Sequence, residues 1–260
     1  MTVALAVNGF NRIKSVDLHL LRIHAPVAQF DLEIVMTRRS FQRAGEAERR
    51  QDLVAATLES IFEHGLEGAT VRDIAARAGV TGGLIRHYFT GKDHMVQEAY
   101  REMLANMTRT AVDAMTGVEG NACQQLRRFI IANLTPPIAD PRALSLWAAF
   151  IGRVRSNDEF GRIHRDNYLI LLDILEGLVA TVLAEHNRAG DARQCRHLAI
   201  AINGLIDGLW LEGSLAGDLF DEIKLPEIAL AAVEALLGGI SLRRSDDTIE
   251  TAEGGSVDAG

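Results

Sequence analysis

The sequence predicts an all-α protein, and three observations carry that prediction. Apolar residues recur at three- and four-residue spacing over most of the 260 residues, while strand-like alternation is weak almost everywhere. Proline, the residue that breaks helices, occurs only five times. Residues Thr70 to Phe89, TVRDIAARAGVTGGLIRHYF, spell one helix, a glycine turn and a second short helix. The length admits one or two domains with ample core. No run approaches the roughly 18 consecutive apolar residues that read as a membrane span.

From the N-terminus, residues 1–45 read as an atypical extension. Phe30-Asp31-Leu32-Glu33-Ile34 alternates like a lone strand, which has little to stabilise it without a partner. No basic start precedes an apolar stretch, so the segment is not a secretory signal. Met36 is the expected natural start, followed by Thr37-Arg38-Arg39 as a basic arm ahead of the first helix. That helix is expected over residues 48–64, with Val54, Leu58, Ile61 and Phe62 on its core face and Gly65 ending it.

Residues 46–92 are expected to form a three-helix unit. Thr70 caps its second helix, with Asp73 three residues on as a variant capping box. Ile74, Ala75 and Ala78 make a narrow apolar stripe, and Gly79 can take the left-handed conformation that ends a helix. Thr81 caps the third helix, which docks through Leu84, Ile85, Tyr88 and Phe89. Gly82, Gly83, Arg86 and His87 stay outward. A helix pair this small most often inserts its second helix into the major groove of DNA. Charge is consistent with that use. The chain carries −8 overall, but residues 69–92 hold Arg72, Arg77, Arg86 and Lys92 against Asp73 alone, which is +3 and leaves −11 for the rest. Local phosphate neutralisation is what binds DNA, so an acidic protein can bind through a basic edge. On charge alone, a hairpin whose charged face meets only water fits equally well.

Residues 93–240 are expected to be a helical body. The spacing predicts helices over residues 93–115, 123–134, 141–155, 158–186, 191–215 and 226–237, punctuated by Pro136, Pro137 and Pro141 and by residues 187–190. Residues 241–260, polar, acidic and glycine-containing, are expected to be a disordered tail. Cys123 and Cys195 suit the reduced thiols of a cytoplasm, and Cys195 with His197 lacks further ligands at zinc spacing, so no metal is expected.

These residues resemble the TetR family of transcriptional regulators. The likeness runs from about Glu46 to Leu237. It rests on a first helix, a Thr-capped second helix, the Ala78-Gly79-Val80 turn, the His87-Tyr88-Phe89 end and Lys92 just beyond. Within the family the chain looks closest to BetI-type repressors, through those segments together with Trp147-Ala148-Ala149-Phe150 and Ile206-Asp207-Gly208-Leu209-Trp210-Leu211. The resemblance implies a helix-turn-helix DNA-binding domain followed by an effector-binding and dimerisation domain. It further implies that Thr70, Thr81, Tyr88 and Lys92 grip the DNA backbone while Gly82, Gly83, Arg86 and His87 approach the bases. Relatives often carry a hydroxyl side chain where Gly82 stands and a small polar residue where Arg86 stands. Each glycine costs a helix roughly 1 kcal/mol relative to alanine but lets the backbone come close to DNA. Arg86 can pair with guanine through two hydrogen bonds, so the operator preferred here is expected to differ from those of relatives.

The resemblance also implies a homodimer on a palindromic operator, and a small-molecule effector, choline being the one a BetI-type protein suggests. Gly204 and Gly208, four apart, with Leu211, Leu230, Val233 and Leu237, form the expected dimer interface; ordinary packing within the chain explains the same spacing. Trp147, Phe150, Tyr168 and Trp210 with Asp207 form the expected effector site, since aromatic faces attract a quaternary ammonium by about 0.5–2 kcal/mol per contact. Core packing explains the same rings. Phe160 and Glu212 are further candidates there. The helix from Asp93 is the expected lever between ligand and DNA. No nucleophile elbow, dinucleotide loop, P-loop or His-Glu-x-x-His is present, so neither an enzyme nor a cofactor is expected.

Overall fold

The computed structural model describes residues 38–116, 120–188, 190–216 and 224–242, with side chains from Gly45 onward. The chain divides between Phe41 and Gln42, and the larger unit begins at Gln42. The strand reading at residues 30–34, the start at Met36 and the tail beyond residue 242 lie outside the described residues.

Nine helices follow one another among the described residues: α1 (Arg38–Gly68), α2 (Val71–Arg77), α3 (Gly82–Tyr88), α4 (Lys92–Thr116), α5 (Ala122–Asn133), α6 (Pro141–Val154), α7 (Asp158–Glu185), α8 (Ala192–Leu215) and α9 (Leu225–Leu236). Every helix of the body lies within two residues of its expected bounds. Side-chain caps explain that accuracy: Asn121, Asp140, Asn157 and Asp191 each accept a backbone N–H from the first turn that follows. The first helix departs from expectation. It is already helical at Arg38, so Arg38 and Arg39 belong to α1 and are not an arm ahead of it. Gly65, at φ +70°, breaks the ladder where the sequence predicts the helix end, and a short turn resumes to Gly68.

Two cores hold the helices. One gathers Leu53 and Ile61 of α1, Ile74 and Ala75 of α2, Ile85 of α3, Phe89, and Met95 and Tyr100 of α4, with Phe150 and Phe160 from the body. The other fills the body between α4, α5, α7, α8 and α9. Because α4 contributes to both, it joins the small unit to the body. Phe62, expected in the first core, is 41% exposed under the Arg142 guanidinium, 4.7 Å from its ring centroid. Leu53, Thr57 and Ser60 are buried on α1 instead, and the Thr57 hydroxyl satisfies itself on Leu53 O at 2.7 Å. Cys123 and Cys195 are free and buried, and burial pushes both thiols above their usual pKa. By length and composition alone, α7 and α8 are apolar enough to cross a bilayer.

Candidate nucleic-acid interface and effector cavity

Two threonines and a glycine shape the small unit. Thr70 Oγ1 accepts Asp73 N–H at 3.1 Å, and Thr81 Oγ1 accepts Leu84 N–H at 3.4 Å. Gly79 turns the chain between them at φ +63°, and Val80 N–H closes back on Ala75 O at 2.9 Å. Ile85 and Phe89 are buried against Ile74 and Ala75; Leu84 and Tyr88 are half-buried. On the outer side Thr70, Thr81, Gly83, Arg86 and His87 are exposed, and Gly82 and Lys92 are half-exposed. The eight expected DNA-contacting residues therefore all reach one small unit's surface. No atom lies within 4 Å of a Cβ built on Gly82, so the start of α3 is open to close approach.

Its charge is distributed less evenly than the sequence count implies. Arg77 is consumed within the protein: it holds Asp73 at 2.7 Å and Glu63 at 2.6 Å, and its guanidinium draws both carboxyl pKa values down. Arg72 and Arg86 are exposed and pair with no described acid, and Lys92 Nζ reaches only the backbone of Glu67 at 3.3 Å. Among the described residues from Ala69 to Lys92, those three are the cations available to phosphates or bases. In the sequence Arg72 counts as a charge and not as a contact; its place on α2 across the helix from the buried Ile74 is the signal that finds it.

Ion pairs tie this unit to the rest. Arg50 of α1 pairs with Glu98 of α4 and lies 5.4 Å over the Phe89 ring. Arg142 and Arg153 of α6 pair with Glu59 and Glu67 of α1. The two pairs from α6 are exposed, so each adds at most about 1 kcal/mol and serves more to fix angle than to stabilise, whereas Glu98, 15% exposed, makes the Arg50 pair a partly buried one.

The body contains a cavity of about 350 Å³ between α4, α6, α7 and α8. Four expected effector residues, Trp147, Tyr168, Asp207 and Trp210, meet on its wall. Phe150 does not. It is fully buried in the other core, stacked on Tyr100 at 4.8 Å, because its helix turns it away from Trp147, and Phe160 sits with it. Glu212 faces solvent. Trp147 and Trp210 touch edge to face at 5.6 Å, and Trp210 Nε1 donates to Ile138 O at 3.1 Å, which fixes one ring as a wall. Sequence reasoning missed His164, Asn167, Asn203 and Asn133. They face the cavity from positions that helical spacing alone reads as polar surface.

Among the described residues, Asp207 is the only carboxylate on that wall, and no Lys or Arg lines it. Its surface is open where the cavity meets solvent, yet protein crowds its carboxyl. Burial therefore pushes its pKa up to about 6, against the lowering effect of Asn203 Nδ2, which donates to it at 2.8 Å. Burial also lowers the pKa of His164, which keeps that imidazole neutral near pH 7. Among the described residues no three His, Cys, Asp or Glu side chains converge as a metal site.

The expected dimer residues separate into two groups. Leu230, Val233 and Leu237 are 8%, 0% and 2% exposed, packed into their own chain's core, so they are not free to meet a partner. Their spacing on α9 is apolar because it seals the body. Gly204 and Gly208 are exposed, with no atom near a Cβ built on either, but Gly208 and the half-buried Leu211 also line the cavity, which leaves Gly204 as the one of the three that only faces outward. The exposed apolar residues around them are Ile200 and Leu215 of α8 and Ile228 and Leu236 of α9.

Comparison with known proteins agrees with this architecture. Residues 53–99 match the family described as bacterial regulatory proteins, tetR family, and residues 122–238 match the BetI-type transcriptional repressor C-terminal domain. The HTH-type transcriptional regulator BetI of Stenotrophomonas maltophilia is 29% identical over 197 residues, covering 76% of this chain and 97% of the relative. The protein of that name from Burkholderia lata is 29% identical over 189 residues, covering 73% and 94%. A solved transcriptional regulator from Pseudomonas aeruginosa PAO1 is 34% identical with a TM-score of 0.67, covering 78% of this chain and 96% of that one.

Proposed function

Since the chain belongs to the TetR family of DNA-binding transcriptional regulators, which is not a family of enzymes, we propose that it is a cytoplasmic homodimeric repressor released from a palindromic operator by a small molecule in the body cavity. The observation that carries this reading is the sharing of α4. One end opens beside α3 with its outward Arg86, and its middle supplies cavity-lining Leu104 and Thr108. A ligand shifts such a protein only by favouring one arrangement of the reading helices over another, and a coupling of about 1–3 kcal/mol changes operator affinity about 5–150-fold.

In this reading Arg86, Gly82, Gly83 and His87 approach bases while Thr70, Thr81, Tyr88, Lys92 and Arg72 hold phosphates. The second copy covers Gly204, Gly208 and the apolar residues around them on α8 and α9. Two subunits then set their reading helices about 34–36 Å apart, or a multiple of that. Choline is the first ligand to try, because Asp207 shares with Trp147 and Tyr168 a wall without Lys or Arg. A larger cationic or apolar ligand is the second reading. It is favoured by the volume, about 350 Å³, which lies in the range that takes drug-sized molecules. Selection of duplexes from a random pool, followed by anisotropy titration with and without choline, tests the proposal. A twofold-symmetric site is expected, and no duplex preference at low salt would end it.

A further inference from the structure

A second cavity, of about 460 Å³, lies where the DNA-reading unit meets the body. Val54 and Leu58 of α1, Met103 of α4 and Ala143 and Leu146 of α6 line it. It adjoins the first: Met107 and Ile138 stand on the walls of both, and these two side chains are what divides them. The two differ in chemistry. The first offers Asp207, Asn203, Asn167 and His164 and contains no cation. The charged groups of the second already have partners. Glu102 accepts Arg109 at 2.9 Å, Asp140 caps Arg142 N at 2.8 Å, and the Arg142 guanidinium pairs with Glu59 and covers Phe62. Besides Asn106 and Thr110, which are bonded to each other through the Thr110 hydroxyl and the Asn106 carbonyl, what remains to a visitor there is mostly aliphatic surface.

We infer that the two cavities together take one cationic amphiphile, its ammonium head beside Asp207 and its alkyl tail passing Met107 and Ile138 into the pocket under α1. The inference rests on the reading of the first cavity as the effector site and extends it to a second, unassigned one. A tail at that place bears directly on α1, against which α2 and α3 are packed. Tail length therefore governs both affinity and release of DNA, whereas a head group alone reaches neither Val54 nor Leu58.

The test uses alkyltrimethylammonium ions from tetramethyl to decyl, below their micelle concentrations, read by intrinsic tryptophan fluorescence. The chain's two tryptophans, Trp147 and Trp210, both line the first cavity. Affinity is expected to rise about fourfold per added methylene once the tail passes Met107. Ala143→Phe and Ala55→Phe, on opposite walls of the second cavity and neither fully buried, each add a ring there. Both are expected to abolish the rise for long tails while leaving tetramethylammonium affinity within about twofold. Decyl sulfate, with a similar tail and opposite charge, is expected to bind at least about tenfold more weakly. Affinity independent of tail length, or a rise that survives both variants, overturns the inference while the effector reading stands. Equal binding of decyl sulfate overturns the head assignment. A flat tryptophan signal with every probe removes the effector reading, and this inference with it.

Discussion

Nδ1 of His164 lies 3.0 Å from the Tyr100 hydroxyl, and this contact joins the body cavity to the core that holds α2 and α3. His164 lines the cavity from α7. Tyr100 of α4 is fully buried, stacked on Phe150 and tilted against Phe160, in the same core as Ile74, Ile85 and Phe89. Burial raises the Tyr100 pKa to about 12 and lowers that of His164, so near pH 7 both are neutral, and in the tautomer with its proton on Nε2 the imidazole accepts the phenol O–H at Nδ1. Nε2 of His164 makes no bond to a described residue. A cavity ligand that donates to Nε2 shifts the ring proton to Nδ1, and the phenol must then find another acceptor in an apolar core.

Tyr100→Phe removes that constraint without changing the ring. The variant is expected to lose about 0.5–1.5 kcal/mol in urea unfolding, the ordinary net value of one hydrogen bond. It is also expected to keep its ligand affinity while losing most of the ligand's effect on operator binding, read by anisotropy with and without ligand. Undiminished release in the variant would make the contact purely structural.

Asp207 gives the protein a pH dependence with a definite sign. Its folded pKa, about 6, lies above the ordinary aspartate value of 3.8. The folded state thus holds a proton that the unfolded chain releases. This group's contribution to stability is therefore largest below about pH 4, falls as pH rises to about 6, and is flat above. Asp207→Asn is expected to flatten that segment of the urea midpoint against pH. A cationic ligand needs the carboxylate, so its affinity should be greatest above about pH 6 and fall below. Its binding should release protons near about pH 5.5, measurable as a buffer-dependent heat in calorimetry. Affinity that is independent of pH between about 5 and 7 would place the cation elsewhere.

Fold and site were legible in the sequence wherever a local device sets the structure. Thr70, Gly79 and Thr81 fix their turn by themselves, and the Asn and Asp caps fix the helix starts. What depends on the rotation of one helix against another was not legible. Phe150 and Trp147 are three apart on α6, yet one is sealed in the first core and the other faces the cavity. Val233 and Gly204 both read as interface by spacing, yet only contact with the rest of the chain separates a sealed position from an open one. Arg77 counts as a DNA cation in the sequence, yet Glu63, fourteen residues away, holds it.

The cations of the small unit divide by chemistry. Arg86→Ala is expected to cost about 1–3 kcal/mol at one base position and little elsewhere, as befits a base-reading guanidinium. Lys92→Ala should weaken all duplexes alike and reduce the salt slope by about 1. Arg77→Ala should act mainly on stability, because its charge is already taken by Glu63 and Asp73. Titration of each variant on a randomised operator set at several salt concentrations separates the three. A uniform loss for Arg86→Ala would make it a phosphate contact.

Gly204 allows the assembly to be tested without disturbing the monomer. A Cβ at that position meets nothing within 4 Å, so a long side chain fits the isolated subunit, and replacing a helical glycine favours the helix by up to about 1 kcal/mol. Gly204→Arg is therefore expected to unfold no more easily than the parent at low concentration, where dimerisation contributes nothing. If a second copy packs across Gly204 and Gly208, the same variant is driven to a single subunit in sedimentation and loses affinity for a palindrome while keeping weak binding to a half-site. Val233→Ala reverses the pattern: its side chain is sealed inside its own chain, so it lowers stability by about 1–3 kcal/mol at any concentration. A Gly204→Arg protein that sediments as a dimer places the contact on another face, and the exposed Leu169 and Ile170 of α7 are then the apolar residues to alter next.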